Sequence, residues 1–173
     1  NCFKPVPNQR LIVCDQYVEP DCAAVTSRVR GEIARIAGEH PEVIFYADSR
    51  AYIDRFRGCI IKCNDKEILR VCGMKGEAAG EDTIKRLASD LYQKLGKTVY
   101  VTMGELGMIV CDSRQAVHVP AFPVRGKLDI VGAGDACNAG IVFALTKGAD
   151  AVEAGLTGNA ASNIAIHQIG TTG

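Results

Sequence analysis

The stretch Asp129-Ile130-Val131-Gly132-Ala133-Gly134-Asp135-Ala136-Cys137 places two glycines and two carboxylates directly before an apolar run, Asn138 to Thr146. Within that run Ala139, Ile141, Val142, Ala144 and Leu145 form a broad apolar helical face, and Lys147-Gly148 supplies a stop. Gly132 and Gly134 let the backbone adopt conformations closed to other residues and let a ligand approach peptide N–H groups closely. Unpaired N–H groups at a helix start, with the positive end of the helix dipole behind them, form a site for an anion. Asp135 stands in the first turn, where the dipole stabilises a carboxylate but where it would repel a phosphate. It makes most sense as a residue that meets a hydroxyl. A carboxylate beside an anion hole can take a proton from an alcohol while the hole stabilises charge on a phosphoryl group in flight. Glycines with an early Asp also describe an ordinary capped helix, so spacing alone leaves both readings open.

Such a turn needs strands and helices to hold it. Leu11-Ile12-Val13-Cys14 reads as a buried strand with Asp15 at its polar end. Val43 to Ala47 is a second strand, followed by Asp48-Ser49-Arg50, and Cys59 to Cys63 a third, followed by Asn64-Asp65-Lys66-Glu67. Val99 to Thr102 is a fourth, closed by Met103-Gly104-Glu105-Leu106-Gly107. Met108 to Cys111 and Ala116 to Val119 make a hairpin turned by Asp112-Ser113-Arg114-Gln115. Between these lie a helix carrying Val25, Val29, Ile33, Ile36 and Ala37, ended by Gly38, and a second over 81–95 with Ile84, Leu87, Ala88 and Leu91 inward and Gly96 as its stop. A glycine-rich break at Gly73, Gly76 and Gly80 precedes that second helix. The last helix, about 149–168, sets Val152, Leu156, Ala160, Ile164 and His167 near one face. Strands alternating with helices in this way predict an α/β fold: a three-layer α/β/α sandwich with a mainly parallel central sheet. Ligands of such sheets bind beyond the carboxyl ends of the strands, at the crevice where strand order reverses. Asp15, Asp48-Ser49-Arg50, Asn64 with Glu67, and Thr102 with Gly104 and Gly107 would gather on that rim, although every strand needs a polar exit turn. Asn64 and Glu67 also have the spacing of a helix capping box.

Composition narrows the partners. The 173 residues are one domain's worth, 47% hydrophobic and 23% charged, with 20 basic and 20 acidic residues that cancel. That balance gives no electrostatic grip on nucleic acid or an anionic membrane. No apolar run reaches the length of a membrane span and Asn1-Cys2-Phe3-Lys4-Pro5 is no signal peptide, so a cytoplasmic location is expected. The start without Met and the abrupt end at Gly170-Thr171-Thr172-Gly173 point to a piece of a longer protein. Eight cysteines, Cys2, Cys14, Cys22, Cys59, Cys63, Cys72, Cys111 and Cys137, lack a Cys-x-x-Cys pair and read as reduced, structural thiols rather than a metal site. His40, His118 and His167 lie too far apart in sequence to mark a ligand cluster.

The central stretch resembles the second signature of the ribokinase-like (PfkB) carbohydrate kinases, Asp-Thr-x-Gly-Ala-Gly-Asp-x-Phe, with Ile130 in place of Thr and Cys137 in place of Phe. The resemblance implies Asp135 as the catalytic base and the backbone of Gly132, Ala133 and Gly134 as the anion hole. Asn64-x-x-Glu67 resembles the family's Asn-x-x-Glu motif, which implies magnesium and phosphate handling; magnesium prefers oxygen ligands and keeps several waters, so one carboxylate acting through water suffices. Thr102-x-Gly104-x-x-Gly107 is similar to the segment beside the nucleotide. Asn159 matches the late-helix Asn that faces adenine or ribose, the alternative being a helix-surface Asn. Asp129 resembles the position whose backbone joins a monovalent-cation (K⁺) site in some members. The resemblance covers the carboxyl-terminal two thirds of such a kinase and implies ATP, Mg²⁺ and a sugar or sugar-phosphate acceptor, with the amino-terminal lid portion lacking. Lids in this family often pair between subunits, which leaves room for a homodimer. The texture of Asp15-Gln16-Tyr17, Asp48-Ser49-Arg50 and Gln168-Ile169-Gly170-Thr171-Thr172 is most similar to the heptose-phosphate kinase branch. The rival expectation is a regulatory module that keeps the fold and binds nucleotide or sugar phosphate without catalysis.

Overall fold

A computed structural model describes residues 9–74, 79–168 and 170. Cys2, Gly76, Ile169, Thr171 and Thr172 lie outside the described residues. Six strands, β1 (Arg10–Asp15), β2 (Ile44–Ser49), β3 (Ile60–Asn64), β4 (Val99–Thr102), β5 (Met108–Cys111) and β6 (Ala116–Val119), form one sheet in sequence order. β1 to β4 run parallel, and β4, β5 and β6 pair antiparallel. The mainly parallel sheet expected from the sequence is present.

The helices divide between the two faces because side chains alternate along each strand. Phe45, Ala47, Ile61, Cys63, Val99 and Val101 point to one side and pack under α1 (Ser27–Glu39), α2 (Asp65–Val71) and α3 (Glu81–Leu95). Tyr46, Tyr100, Met108 and Val110 point to the other and pack under α4 (Ala133–Thr146) and α5 (Ala151–Ile166). α3 has the bounds the sequence predicts, with Gly96 in the left-handed conformation that ends it.

Four expectations need correction. First, strand order does not reverse among the described residues, so no switch-point crevice is formed by them. The N-terminal part of α4, which otherwise lies over the sheet face, instead reaches the carboxyl ends of β2 and β3. Second, β1 is not a buried strand: among the described residues it is the sheet edge, and Leu11, Ile12 and Cys14 are exposed. An edge strand has a neighbour on one side only, which is why its apolar run stays open. Third, α4 begins five residues earlier than the apolar run, which leaves Asp135 in its first turn as the sequence placed it, but Ala139, expected on the apolar face, is exposed. Fourth, α5 does not bury Leu156 and Ile164, which are exposed; it buries Ala154, Gly155, Gly158 and Asn159. Glycines mark that face because α4 and α5 cross closely. A Cβ on Gly140 would lie 2.9 Å from that of Ala161, and one on Gly158 would lie 2.7 Å from Ile141 Cγ1.

Candidate active site

Strand alternation turns Lys62, in the middle of β3, toward α4, although Ile60, Ile61 and Cys63 around it are apolar. Its register partner on β2 is Asp48. Lys62 is 6% exposed and Asp48 6% exposed, and Lys62 Nζ donates to Asp48 Oδ2 at 3.0 Å. Asn138 Nδ2, from the second turn of α4, donates to the same oxygen at 2.8 Å, and Tyr46 OH donates to Asn138 Oδ1 at 2.9 Å. This buried polar column ties the helix to the strand ends. Burial works to lower the Lys62 pKa, but the charge and hydrogen bond of Asp48 outweigh it, and the ammonium is held above its ordinary value.

Directly above lies the glycine turn. Gly132 caps α4 in the left-handed conformation (φ +80°) and no side chain closes the helix start. Ala133 N–H donates to Ile130 O at 3.3 Å, so the turn itself uses the middle amide that the sequence assigned to an anion hole. The N–H groups of Gly132, Gly134 and Asp135 have no partner among the described residues. A Cβ on Gly134 would meet Lys62 Nζ at 3.6 Å, which brings the ammonium against the same turn. Asp135 is exposed beside it. Ser162 Oγ donates to Ala133 O at 2.9 Å and fixes the turn against α5.

Asp129 does not present a free carboxylate: Oδ1 accepts from Val131 N–H at 3.0 Å and Oδ2 from Gly170 N–H at 3.1 Å, bonds that hold its pKa below the usual value. A cation beside it would be left with main-chain oxygens. Asn64 and Glu67 do form the capping box of α2: Asn64 Oδ1 accepts from Glu67 N–H and Glu67 Oε2 accepts from Asn64 N–H, both at 2.8 Å. Burial pushes the Glu67 carboxyl up, opposed by the Asn64 bond. Its second oxygen and Asp48 Oδ1 accept no hydrogen bond among the described residues. No group of three or more His, Cys, Asp or Glu among those residues is arranged to hold a metal. Two hard oxygens fit magnesium that takes its remaining ligands from water and phosphate. Cys14, the β1 register partner of Asp48, has its pKa raised by partial burial and by the charges of Asp48 and Asp135, which brings the edge strand to the same rim.

The nucleotide-side residues sit farther along the sheet. Thr102 Oγ1 donates to Cys63 O at 3.3 Å, joining β4 to β3. Gly104 and Gly107 take positive φ in the turn between β4 and β5, and a Cβ on Gly107 would overlap the Val119 carbonyl and lie 2.5 Å from Ala121 N. Asn159 is not a helix-surface residue: it is buried, and its Nδ2 donates to Val119 O and Pro120 O at 3.1 Å, fixing the exit of β6. Sequence reasoning missed Lys62, Asn138 and Tyr46. The available signals were a lysine inside an apolar strand and an asparagine inside an apolar helix.

Comparison with known proteins fits this arrangement. The family model described as "pfkB family carbohydrate kinase" matches residues 46–173. The bifunctional protein HldE of Bradyrhizobium diazoefficiens is 42% identical over 76 residues, which cover 43% of this chain and 15% of that protein. Phosphofructokinase-2 from Escherichia coli, in complex with fructose-6-phosphate, superposes with a TM-score of 0.75 at 20% identity, over 92% of this chain and 52% of that one. Arabidopsis thaliana ribokinase, complexed with ribose and ATP, does so with a TM-score of 0.71 at 20% identity, over 92% and 50%. The chain spans 15% to 33% of the length of the curated relatives it matches and about half that of these structures. The chain belongs to the pfkB family of carbohydrate kinases.

Proposed function

We propose that this chain is the nucleotide-binding and catalytic part of an ATP-dependent phosphotransferase that acts on an alcohol of a sugar or sugar phosphate, as a single α/β domain of a longer cytoplasmic kinase. The observation that carries the proposal is the uncapped start of α4. Three unpartnered amides there stand at the carboxyl ends of parallel strands with an exposed carboxylate beside them and a buried ammonium beneath.

Asp135 accepts the proton of the acceptor hydroxyl. The acceptor oxygen bonds to the terminal phosphorus as the bond to the bridging oxygen of ATP breaks, and ADP leaves with that electron pair. The amides of Gly132 and Gly134 hold the non-bridging oxygens, where developing charge meets fixed dipoles. Glu67, oriented by its capping-box bonds with Asn64, and Asp48 would hold magnesium through water; bound there, the metal would offset phosphate charge. The Thr102–Gly107 turn and Asn159, whose Oδ1 accepts no hydrogen bond among the described residues, would line the nucleotide. The resemblance of Asp15-Gln16-Tyr17 and Asp48-Ser49-Arg50 to the heptose-phosphate kinase branch supports a sugar phosphate of that class as acceptor.

The test is ADP release by the full-length protein with Mg-ATP and a panel of sugars and sugar phosphates, beside Asp135→Asn. Removing a general base lowers turnover by roughly 10²- to 10⁴-fold, with ADP affinity unchanged. Release in the variant within threefold of wild type would overturn the assignment of the base. Saturable nucleotide binding with no release for any acceptor would favour the regulatory module.

A further inference from the structure

We propose that His118 is a positioning residue for the nucleotide. Its ring, bonded at one nitrogen to the Leu106 carbonyl and at the other to the Glu81 carboxylate, holds the turn 102–107 in place, and nucleotide affinity falls when the ring gives up its second proton. The inference rests on the reading that this turn lines the nucleotide, and it adds control of that site by pH from a residue behind the turn.

The turn between β4 and β5 has little packing to hold it. Its short 3₁₀ segment, Gly104–Leu106, buries no side chain, Leu106 is 59% exposed, and a Cβ on Gly104 would meet nothing within 4 Å. Hydrogen bonds hold it instead. Met103 N–H donates to Gly107 O at 2.7 Å, Leu106 N–H to Met103 O at 3.2 Å and Gly107 N–H to Gly104 O at 3.1 Å, all within the turn. Among the described residues, the hydrogen bond that reaches Gly104–Leu106 from outside is the one His118 Nε2 makes to Leu106 O, at 2.6 Å.

His118 stands on β6 opposite Ile109, and strand alternation turns it away from the side of buried Val119 toward the start of α3. Its Nδ1 lies 3.1 Å from Glu81 Oε2, while Glu81 Oε1 lies 2.6 Å from Lys85 Nζ. The hydrogen bond from Lys85 and then the charge of His118 hold the Glu81 carboxyl below its ordinary value, so an anion faces the ring. A carbonyl and a carboxylate both accept, so both ring nitrogens must donate, and only the imidazolium carries two N–H groups. A neutral ring keeps its one proton at Nδ1, where the acceptor is charged, since such bonds are roughly twice as strong. Nε2 then turns a lone pair on the Leu106 carbonyl, and the outside tie on the turn is lost.

The elements packed around β6 bring no competing charge to the ring. On β5, Cys111 is bonded to Ser89 and pairs with Ala116 at the far end of the hairpin. Asp82 of α3 and Glu105 of the turn are exposed and make no bond to the ring. On the opposite face α5 meets β6 through the neutral Asn159. Glu81, with Lys85 bonded to it, is thus the charged partner that decides which nitrogen keeps the proton.

The experiment titrates full-length protein with Mg-ADP by calorimetry at about pH 5.5 and about pH 8.5, either side of the range in which an imidazole changes charge. Wild type is compared with Glu81→Gln and His118→Phe, and the nucleotide's own titration is common to all three. In Glu81→Gln the amide can donate to Nδ1, so a neutral ring keeps Nε2–H on Leu106 at both pH values. Expected is that wild type, measured against Glu81→Gln, loses about fivefold in affinity between the lower and the higher pH, the scale of one hydrogen bond. His118→Phe is expected to bind about fivefold more weakly than Glu81→Gln at both. Should His118→Phe fail to fold, Glu81→Gln decides. Nitrogen NMR of histidine-labelled protein reads the ring directly: at the higher pH the proton is expected on Nδ1 in wild type and on Nε2 in Glu81→Gln. An equal pH response in wild type and Glu81→Gln, or a neutral wild-type ring with its proton on Nε2, would overturn the proposal. No saturable Mg-ADP binding by wild type at either pH, with the tautomers as expected, would overturn the nucleotide reading of the turn and the effect on affinity, and leave the His118 tie to Leu106 standing.

Discussion

Gly134→Ala separates folding from function within one methyl group. Position 134 is helical, lacks a positive φ, and offers a new Cβ an ordinary 3.6 Å contact with Lys62 Nζ. Alanine in a helix is better than glycine by up to about 1 kcal/mol, and near the first turn, where fewer backbone bonds depend on the residue, about half of that is expected. For a unit of this size, that gain raises Tm by about 1–2 °C. Turnover moves the opposite way. On the proposed function the methyl crowds the Gly134 amide that holds the transferring group, and loss of one charge-assisted hydrogen bond of about 1.5–3 kcal/mol corresponds to a fall of roughly 10- to 100-fold. Thermal melts and ADP release on one preparation give both numbers. A lower Tm would refute the packing around Gly134, and unchanged turnover with a raised Tm would refute the use of the Gly134 amide by the transferring group.

Gly107→Ala is expected to do the reverse of Gly134→Ala on stability. Its Cβ would overlap the Val119 carbonyl at a φ of +95°, and overpacking with a left-handed alanine is expected to lower stability by about 3 kcal/mol, read as a drop in the denaturant midpoint. A midpoint within error of wild type would refute the close approach. Glu67→Gln tests burial. The folded-state pKa of Glu67 is raised above its ordinary 4.5, so its contribution to stability is complete below that value and is lost as pH rises through the folded one. The substituted amide keeps an oxygen for the Asn64 N–H and does not titrate. The stability of the variant relative to wild type is therefore expected to grow from pH 4.5 toward neutrality and then level off, in urea titrations at each pH. A difference that shrinks over that range would refute the sign.

The elements legible in the sequence are those whose signals are local. The bounds of β4, β5, β6 and α3 follow from apolar runs and from Gly96, which takes the left-handed conformation a helix end requires. The Gly132–Asp135 turn was legible for the same reason. What was not legible depends on partners distant in sequence. The Asn138 to Asp48 bond spans 90 residues, and the Tyr46 to Asn138 bond spans 92. Asn159, for which the sequence left a nucleotide-facing and a helix-surface reading open, is buried because the exit of β6 passes over it. The face of α5 was misread because an apolar stripe was sought where helices in close contact need small residues, and Leu156 and Ile164 are exposed.

Those failures have one physical root, and it bears on the site. Periodicity reports how much apolar surface a residue can bury, but not where a polar residue is tolerated inside. Lys62 breaks the pattern of β3 and Asn138 breaks that of α4, and both meet on the Asp48 carboxylate. Two interruptions on separate elements that share one partner mark a position where burial was set aside for a fixed charge. A sheet built for stability alone would fill that position with an aliphatic side chain, since a buried pair rarely adds to stability. The interruption lies beneath the unpartnered amides of α4, so the departure from pattern and the uncapped helix start form one arrangement.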